Sequence, residues 1–253
     1  MASGRLELYS IKSGHPPRPA WRPRDKLTHS VSFKMGNIDQ VIDNRQSTID
    51  NYNLPFLIDK PLFMALEKRD KHTSEHCERV RLLSVALGKA MGLAEKMINV
   101  LSYAAHLHDL GKIAIPDAIL LKPSALDDVE WEKMRTHSSI GAEIIESSDF
   151  PAAKEISNAV RHHHEHIDGT GYPDGLKGDQ IPILSRIISV SDSYDAMTMR
   201  RAYHGTITHE HALRIMQNEK GTKLDAEILS VFTNVGSSSF QVGSLRSSLP
   251  RIR

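Results

Sequence analysis

From residue 73 to residue 234, apolar side chains recur at steps of three and four, and no stretch alternates apolar with polar convincingly. That period belongs to helices with one buried face, so the chain has to fold as an all-α bundle. The spacing predicts helices near 38–50, 56–69, 73–91, 94–110, 128–146, 151–165, 183–199, 208–219 and 225–234. Local signals support several boundaries. Asp127 followed by Glu130, behind Leu126, fits a capping box with a hydrophobic staple. Thr208 fits an N-cap, and Gly92 and Gly111 fit C-caps. Between the helices lies one long glycine-rich loop, HIDGTGYPDGLKGDQIP, residues 166–182, and a loop of that length inside a compact domain is usually functional or disordered.

The apolar stripes end on unusual residues. Met97, Leu101, Ala104 and Ala105 lead by steps of three and four to His108 and Asp109, with His106 on the other face. Val80, Leu83 and Leu87 lead back to His76, and four residues earlier to His72. Met134, His137, Gly141 and Ile144 share a stripe on which Gly141 would allow close backbone approach. Ile156, Ala159 and Val160 lead to His163 and His164, whereas His162 points away. Leu184 and Ile188 lead to Asp192 and Asp195.

Five helices therefore aim His76, His108, Asp109, His137, His163, His164 and Asp192 inward. One histidine on an apolar stripe is ordinarily a hydrogen-bonded core residue. Seven together, with carboxylates that cannot be buried unpaired, point to metal. They are too many for one ion and suit two, with Asp109 as the shared carboxylate. Imidazole and carboxylate without thiolate favour Fe, Mn, Ni or Zn over Ca or Mg. His162, His166, His204, His209 and His211 read as solvated or capping residues.

Charge is uneven. Residues 1–34 hold seven Lys/Arg against two Asp/Glu, and residues 236–253 hold three Arg and no acid. Four prolines among arginines make 1–36 a disordered basic arm, residues 37–66 a small helical extension, and the Gly/Ser-rich 236–253 a flexible tail. Residues 67–235 form the main domain. A single cysteine, Cys77, excludes a disulfide framework and fits a cytoplasmic location. No run of 18 apolar residues occurs, so neither a membrane span nor a secretory signal is expected. The middle of the chain is mildly acidic, and nothing in it implies a nucleic-acid duplex as partner.

Helix-borne H…HD…H…HH…D resembles the metal pattern of the HD phosphohydrolase superfamily. RDKHTSEHCERV, AAHLHDLGKIAIPDAILLKP, RHHHEHIDGTGYPDGLKGDQIP and RIISVSDSYDAMTMRRAY resemble its HD-GYP branch, with Gly171, Tyr172 and Pro173 as the naming tripeptide. The resemblance covers about residues 60 to 234. It implies an HD-domain helical bundle preceded by extra helices. The implied activity is hydrolysis of cyclic di-GMP to pGpG, and in some members on to GMP, by a hydroxide held between two metal ions.

Residue by residue, the resemblance assigns one ion to His76, His108, Asp109 and Asp192. The other falls to Asp109, His137, His163 and His164. Lys112 and Arg201 match residues that contact the substrate's phosphates. Gly171, Tyr172 and Pro173 belong to a loop that shapes the site or meets GGDEF-type cyclase domains. The chain departs from the family in three places. His72 stands where three-metal members have an acid, which argues against a third ion held in the usual way and leaves His72, with Asp195, as accessory residues. His204 replaces a basic residue that contacts phosphate in some members. Leu224 and Ala226 replace the Phe and Pro of a later run. Competing readings are a phosphodiesterase for 3′,3′-cyclic GMP-AMP, another HD enzyme such as a nucleotidase, and a weakly active binding module.

Overall fold

A computed structural model describes residues 64–65, 68–69, 71–149, 151–198 and 207–239, without the side chains of 71–72 and 235–239. The basic arm, the helix expected at 38–50, most of that at 56–69, the side chain of His72, residues 201–204 and the chain after 239 lie outside them. The described residues belong to one compact unit within Gly36–Arg253.

Among the described residues there are eight α-helices and no strand. They are α1 (Lys71–Ala90), α2 (Glu95–Leu107), α3 (Asp117–Leu120), α4 (Asp128–Glu146), α5 (Ala153–Arg161), α6 (Ile183–Thr198), α7 (His209–Asn218) and α8 (Ala226–Ser239). Helix α6 is central: α1, α2, α5, α7 and α8 all pack against it, and it buries residues on almost every side. Its fully enclosed Ile187, Ile188 and Val190 meet Val80, Leu101, Ala104, Ile156, Val160 and Phe232 in one core. The stripes seen in the sequence are the faces that build it.

The capping expectations hold where the local chemistry is self-contained. Asp127 accepts from Glu130 N at 2.9 Å while Glu130 accepts from Asp127 N at 2.9 Å. Thr208 accepts from His211 N at 3.3 Å. Gly92, at φ +75, closes α1: Leu93 N donates to Gly88 O at 3.0 Å and Gly92 N to Lys89 O at 2.9 Å. That pairing satisfies two carbonyls the helix end would otherwise leave open.

Three boundaries differ from expectation. The helix read as 94–110 stops at Leu107, and the chain passes through His108 and Asp109 into a 3₁₀ turn, Leu110–Ala114. Gly111 is therefore not a C-cap but a point of close approach. A Cβ there would lie 1.9 Å from His137 O and 2.6 Å from Gly141 N. The helix read as 151–165 ends at Arg161, so His162, His163 and His164 occupy the turn after it. Helix α8 continues to Ser239, past the point where the tail was expected to begin.

Gly111→Ala should cost roughly 1–3 kcal/mol or more through overpacking, exceeding the loss of about 1 kcal/mol expected for Asp127→Ala at the α4 cap. Urea unfolding of the two variants would show it. Equal losses would mean that the backbone contact between the 3₁₀ turn and α4 relaxes easily.

Candidate metal centre

Five elements deliver seven side chains to one place. His76 comes from α1, His108 and Asp109 from the break after α2, and His137 from the middle of α4. His163 and His164 come from the turn after α5, and Asp192 from α6. Neighbouring imidazoles stand edge to face: ring centres are 5.2 Å apart for His76–His108, 5.1 Å for His108–His163 and 5.0 Å for His137–His164. His163 and His164 lie 4.0 Å apart.

Two sets of donors result, His76–His108–Asp109 and His137–His163–His164, and in each the ligand atoms lie within 4.8 Å of one another. Asp109 stands between the sets. Its Oδ2 lies 3.5 Å from His108 Nε2 and 3.8 Å from His76 Nε2, and its Oδ1 lies 3.4 Å from His137 Nε2. Asp192 joins the first set, with Oδ1 3.1 Å from His76 Nε2.

The test of whether these residues suit a metal is the state of each ring. His108 Nδ1 donates to Ala105 O at 2.8 Å, His137 Nδ1 to Met134 O at 2.8 Å, and His163 Nδ1 to Val160 O at 2.6 Å. In all three, Nε2 is buried with no hydrogen-bond partner. A ring fixed through Nδ1 on a backbone carbonyl presents an Nε2 lone pair, and that is how ligating histidines are held. Three orphaned acceptors aimed at one region fit a cation.

The charge states agree. Burial and neighbouring imidazoles push His163 well below its usual value and His164 to about 3, and burial lowers His108 and His137. All four are neutral at pH 7 and ready to coordinate. Burial alone would raise Asp109, but Lys112 and the surrounding histidines hold its carboxyl well below the carboxylate range. His76 differs. Burial lowers it, yet its hydrogen bonds to Asp192 and Asp195 outweigh that and raise it to about 9. A cation bound there displaces a proton.

Asp195, read as accessory, stands behind His76 rather than beside the other donors. It accepts from His76 Nδ1 at 2.7 Å and is gripped by Arg79 through Nε at 2.7 Å and a terminal nitrogen at 3.0 Å. Lys112 rests on Asp109, with Nζ 2.6 Å from Oδ2. The turn carrying Lys112 is tied down by Arg69, which donates to the carbonyls of Lys112, Ile113 and Ile115 and pairs with Asp117 at 2.7 Å. Arg79 and Arg69 lay outside the sequence reading, and only their partners in space reveal them.

The glycine-rich loop closes the far side. The Tyr172 ring lies 4.9 Å from His164, with the Arg135 guanidinium 5.5 Å from the Tyr172 ring centre. At Gly171 any Cβ would fall 2.3 Å from His166 N. The Tyr172–Pro173 peptide is cis. His162, expected to be solvated, is instead buried and helps clasp this loop: Asp174 accepts from His162 Nε2 at 2.8 Å and from Arg161 at 2.7 Å. Buried Glu165 accepts from the backbone of Asp174 at 2.7 Å and of Leu176 at 3.0 Å. His162, Glu165 and Asp174 could form a third donor set, but their polar atoms are already committed to the loop.

Residues 61–228 match the HD domain family. The chain is 42% identical over 229 residues to a cyclic di-GMP phosphodiesterase of Thermotoga maritima, covering 90% of this chain and 62% of that protein. It is 35% identical over 207 residues to a 3′3′-cGAMP-specific phosphodiesterase of Vibrio cholerae, covering 80% of this chain and 38% of that protein. The chain thus spans only part of these longer relatives. Among solved structures, an HDG"Y"P protein from Bdellovibrio bacteriovorus superposes with a TM-score of 0.55 at 23% identity, covering 67% of this chain and 54% of that one.

A divalent ion at a hundredfold excess over its Kd should stabilise the fold by about 2.7 kcal/mol. Thermal unfolding with and without chelator would show it, and Asp109→Ala should abolish the rise. A rise that survives Asp109→Ala would place the ion elsewhere.

Proposed function

The chain belongs to the HD-domain family, and from that premise we propose that it is a metal-dependent phosphodiesterase of the HD-GYP type that opens cyclic di-GMP to pGpG and on to GMP. The observation that carries this reading is the set of three buried, unpartnered Nε2 atoms on the neighbouring rings of His108, His137 and His163, with one ionised carboxylate, Asp109, against the first two. In this reading His76, His108, Asp109 and Asp192 hold one divalent ion, and Asp109, His137, His163 and His164 hold the other. The nitrogen and oxygen donor set suits Fe or Mn, and Ni or Zn as well. When bound, two such ions supply a water of lowered pKa and positive charge for the phosphoryl oxygens.

The protein's own groups supply position and charge. Asp195 and Arg79 keep His76 turned toward the donor set. Three backbone carbonyls keep His108, His137 and His163 turned the same way. Lys112 carries its ammonium to the edge of Asp109, within reach of a phosphate oxygen, where it stabilises charge that grows during cleavage. Arg201 takes the second phosphate by its motif alone, since it lies outside the described residues. The Tyr172 ring against His164 excludes water from that side of the donor set.

The outer side of the loop is the surface offered to a GGDEF-type cyclase domain, residues 67–235 are the catalytic domain, and the cytoplasm is the location such a substrate implies. No helix among the described residues is long and apolar enough to cross a membrane. A second reading, hydrolysis of 3′,3′-cyclic GMP-AMP, is favoured by the Vibrio cholerae relative's specificity and differs only in the second base.

Protein reloaded with Fe(II) or Mn(II) should bind about two ions per chain and release pGpG or GMP from cyclic di-GMP. Lys112→Ala should lower kcat by roughly 10²-fold, as the loss of one charge-stabilising donor does, while metal content stays near wild type. Metal content that falls with the lysine would overturn its assigned role, and bound metal without turnover of either cyclic dinucleotide would overturn the phosphodiesterase reading.

A further inference from the structure

A cavity of about 220 Å³ opens beside the metal centre and shares His164 and Asp192 with it. One wall is a single face of α6, where Ser189, Ser193, Ala196 and Met197 follow at steps of three and four. Glu219 and Lys223, in the turn between α7 and α8, contribute a second wall. That turn is rigid. Glu219 O accepts from Lys223 N at 3.1 Å and Leu224 N at 3.0 Å, and the turn is sewn to the glycine-rich loop by Asp168 N to Thr222 O at 2.9 Å and Ile167 N to Lys223 O at 3.3 Å.

The second wall holds an incomplete pair. Lys223 Nζ stands 3.4 Å from Glu219 Oε2, close enough for an ion pair, yet that buried oxygen has no hydrogen-bond partner. The two side chains are 37% and 32% exposed, so the cavity sets a carboxylate able to accept beside an ammonium able to donate, next to apolar Ala196 and Met197.

We propose that this cavity is a guanine subsite of the enzyme, read by Glu219 and Lys223. The assignment rests on the phosphodiesterase reading for the rest of the ligand. Guanine presents N1–H and N2–H donors beside the O6 acceptor along one edge. The Glu219 carboxylate takes the two N–H groups, and the Lys223 ammonium donates to O6. Adenine reverses that order, with N6–H₂ where guanine has O6 and a bare lone pair at N1, so it sets acceptor against acceptor at Glu219. A site built to meet such groups rejects the analogue that leaves them unpaired.

Size agrees: pockets for drug-sized ligands run to about 300–1,000 Å³, so this one takes a single purine, not a dinucleotide. Its shared border with His164 and Asp192 leaves the nucleotide's phosphate at the metal centre. The subsite accepts cyclic di-GMP and cyclic GMP-AMP alike and excludes cyclic di-AMP.

GMP and AMP differ only in the base, so calorimetric titration of the metal-loaded full chain with each isolates the subsite. Wild type should bind GMP at least about tenfold more tightly than AMP. Glu219→Gln should bring the ratio near one by weakening GMP alone, with metal content and melting temperature unchanged. Lys223→Met should narrow the ratio in the same direction. Equal binding of GMP and AMP by wild type, or a preference untouched by both variants, would overturn the subsite. Hydrolysis is scored separately. A GMP preference without turnover of any cyclic dinucleotide leaves the subsite standing and sinks the phosphodiesterase reading. Turnover of cyclic di-GMP and cyclic di-AMP at equal kcat/KM, with no GMP preference, does the reverse.

Discussion

A carboxylate that is 2% exposed and still ionised, Asp109, is what the surrounding structure has to accommodate. A charge at that depth is tolerated only when paired and hydrogen-bonded. Lys112 at 2.6 Å supplies the nearest compensation, with three imidazoles from three different elements completing the surroundings. Three of the donor rings in turn depend on helix geometry. His108, His137 and His163 each reach back three residues to a carbonyl of their own helix or its end. The donor set is thus assembled from backbone that already exists for other reasons, and its rings have little freedom to turn.

The glycine-rich loop is organised by a second buried carboxylate with a different task. Glu165 is 3% exposed and accepts two backbone N–H groups from the far side of the loop. Arg161, His162 and Asp174 add a surface clasp around it. Together they press Tyr172 onto His164, so the order of the loop and the orientation of a donor ring are coupled through a few contacts within one stretch of chain. The same loop leans on the Thr222–Lys223 turn, so loop, donor set and the neighbouring cavity share one frame.

Much of this was legible because helical period and buried chemistry coincide. Continuing the apolar stripes carried the reading to His76, His108, Asp109, His137, His163, His164 and Asp192, and the structure brings those seven side chains together. The boundaries were less legible. His108 and Asp109 sit past the end of α2, and His163 and His164 past the end of α5, because the chain keeps a near-helical course for a residue or two after the ladder stops. Gly111 read as a helix stop, since nothing local announces that His137 O lies 1.9 Å from where its Cβ would be. Arg79, Arg69 and Glu165 carry no motif of their own. Arg79 and Arg69 matter through partners dozens of residues away, and Glu165 through backbone N–H groups across a loop. Such pairings are set by tertiary packing, which a one-dimensional pattern does not encode.

The contact between Gly111 and α4 acts as a ruler. Backbone meets backbone there, so the distance from Asp109, two residues before the contact, to His137, whose carbonyl makes it, is gauged by main-chain atoms rather than by side-chain packing. Exchanging a donor side chain can weaken the grip on an ion without changing the interval between the two donor sets. A bulkier residue at 111 would change that interval while every donor side chain kept its identity. Affinity and spacing are thereby separable properties of this centre, written at different positions of the chain.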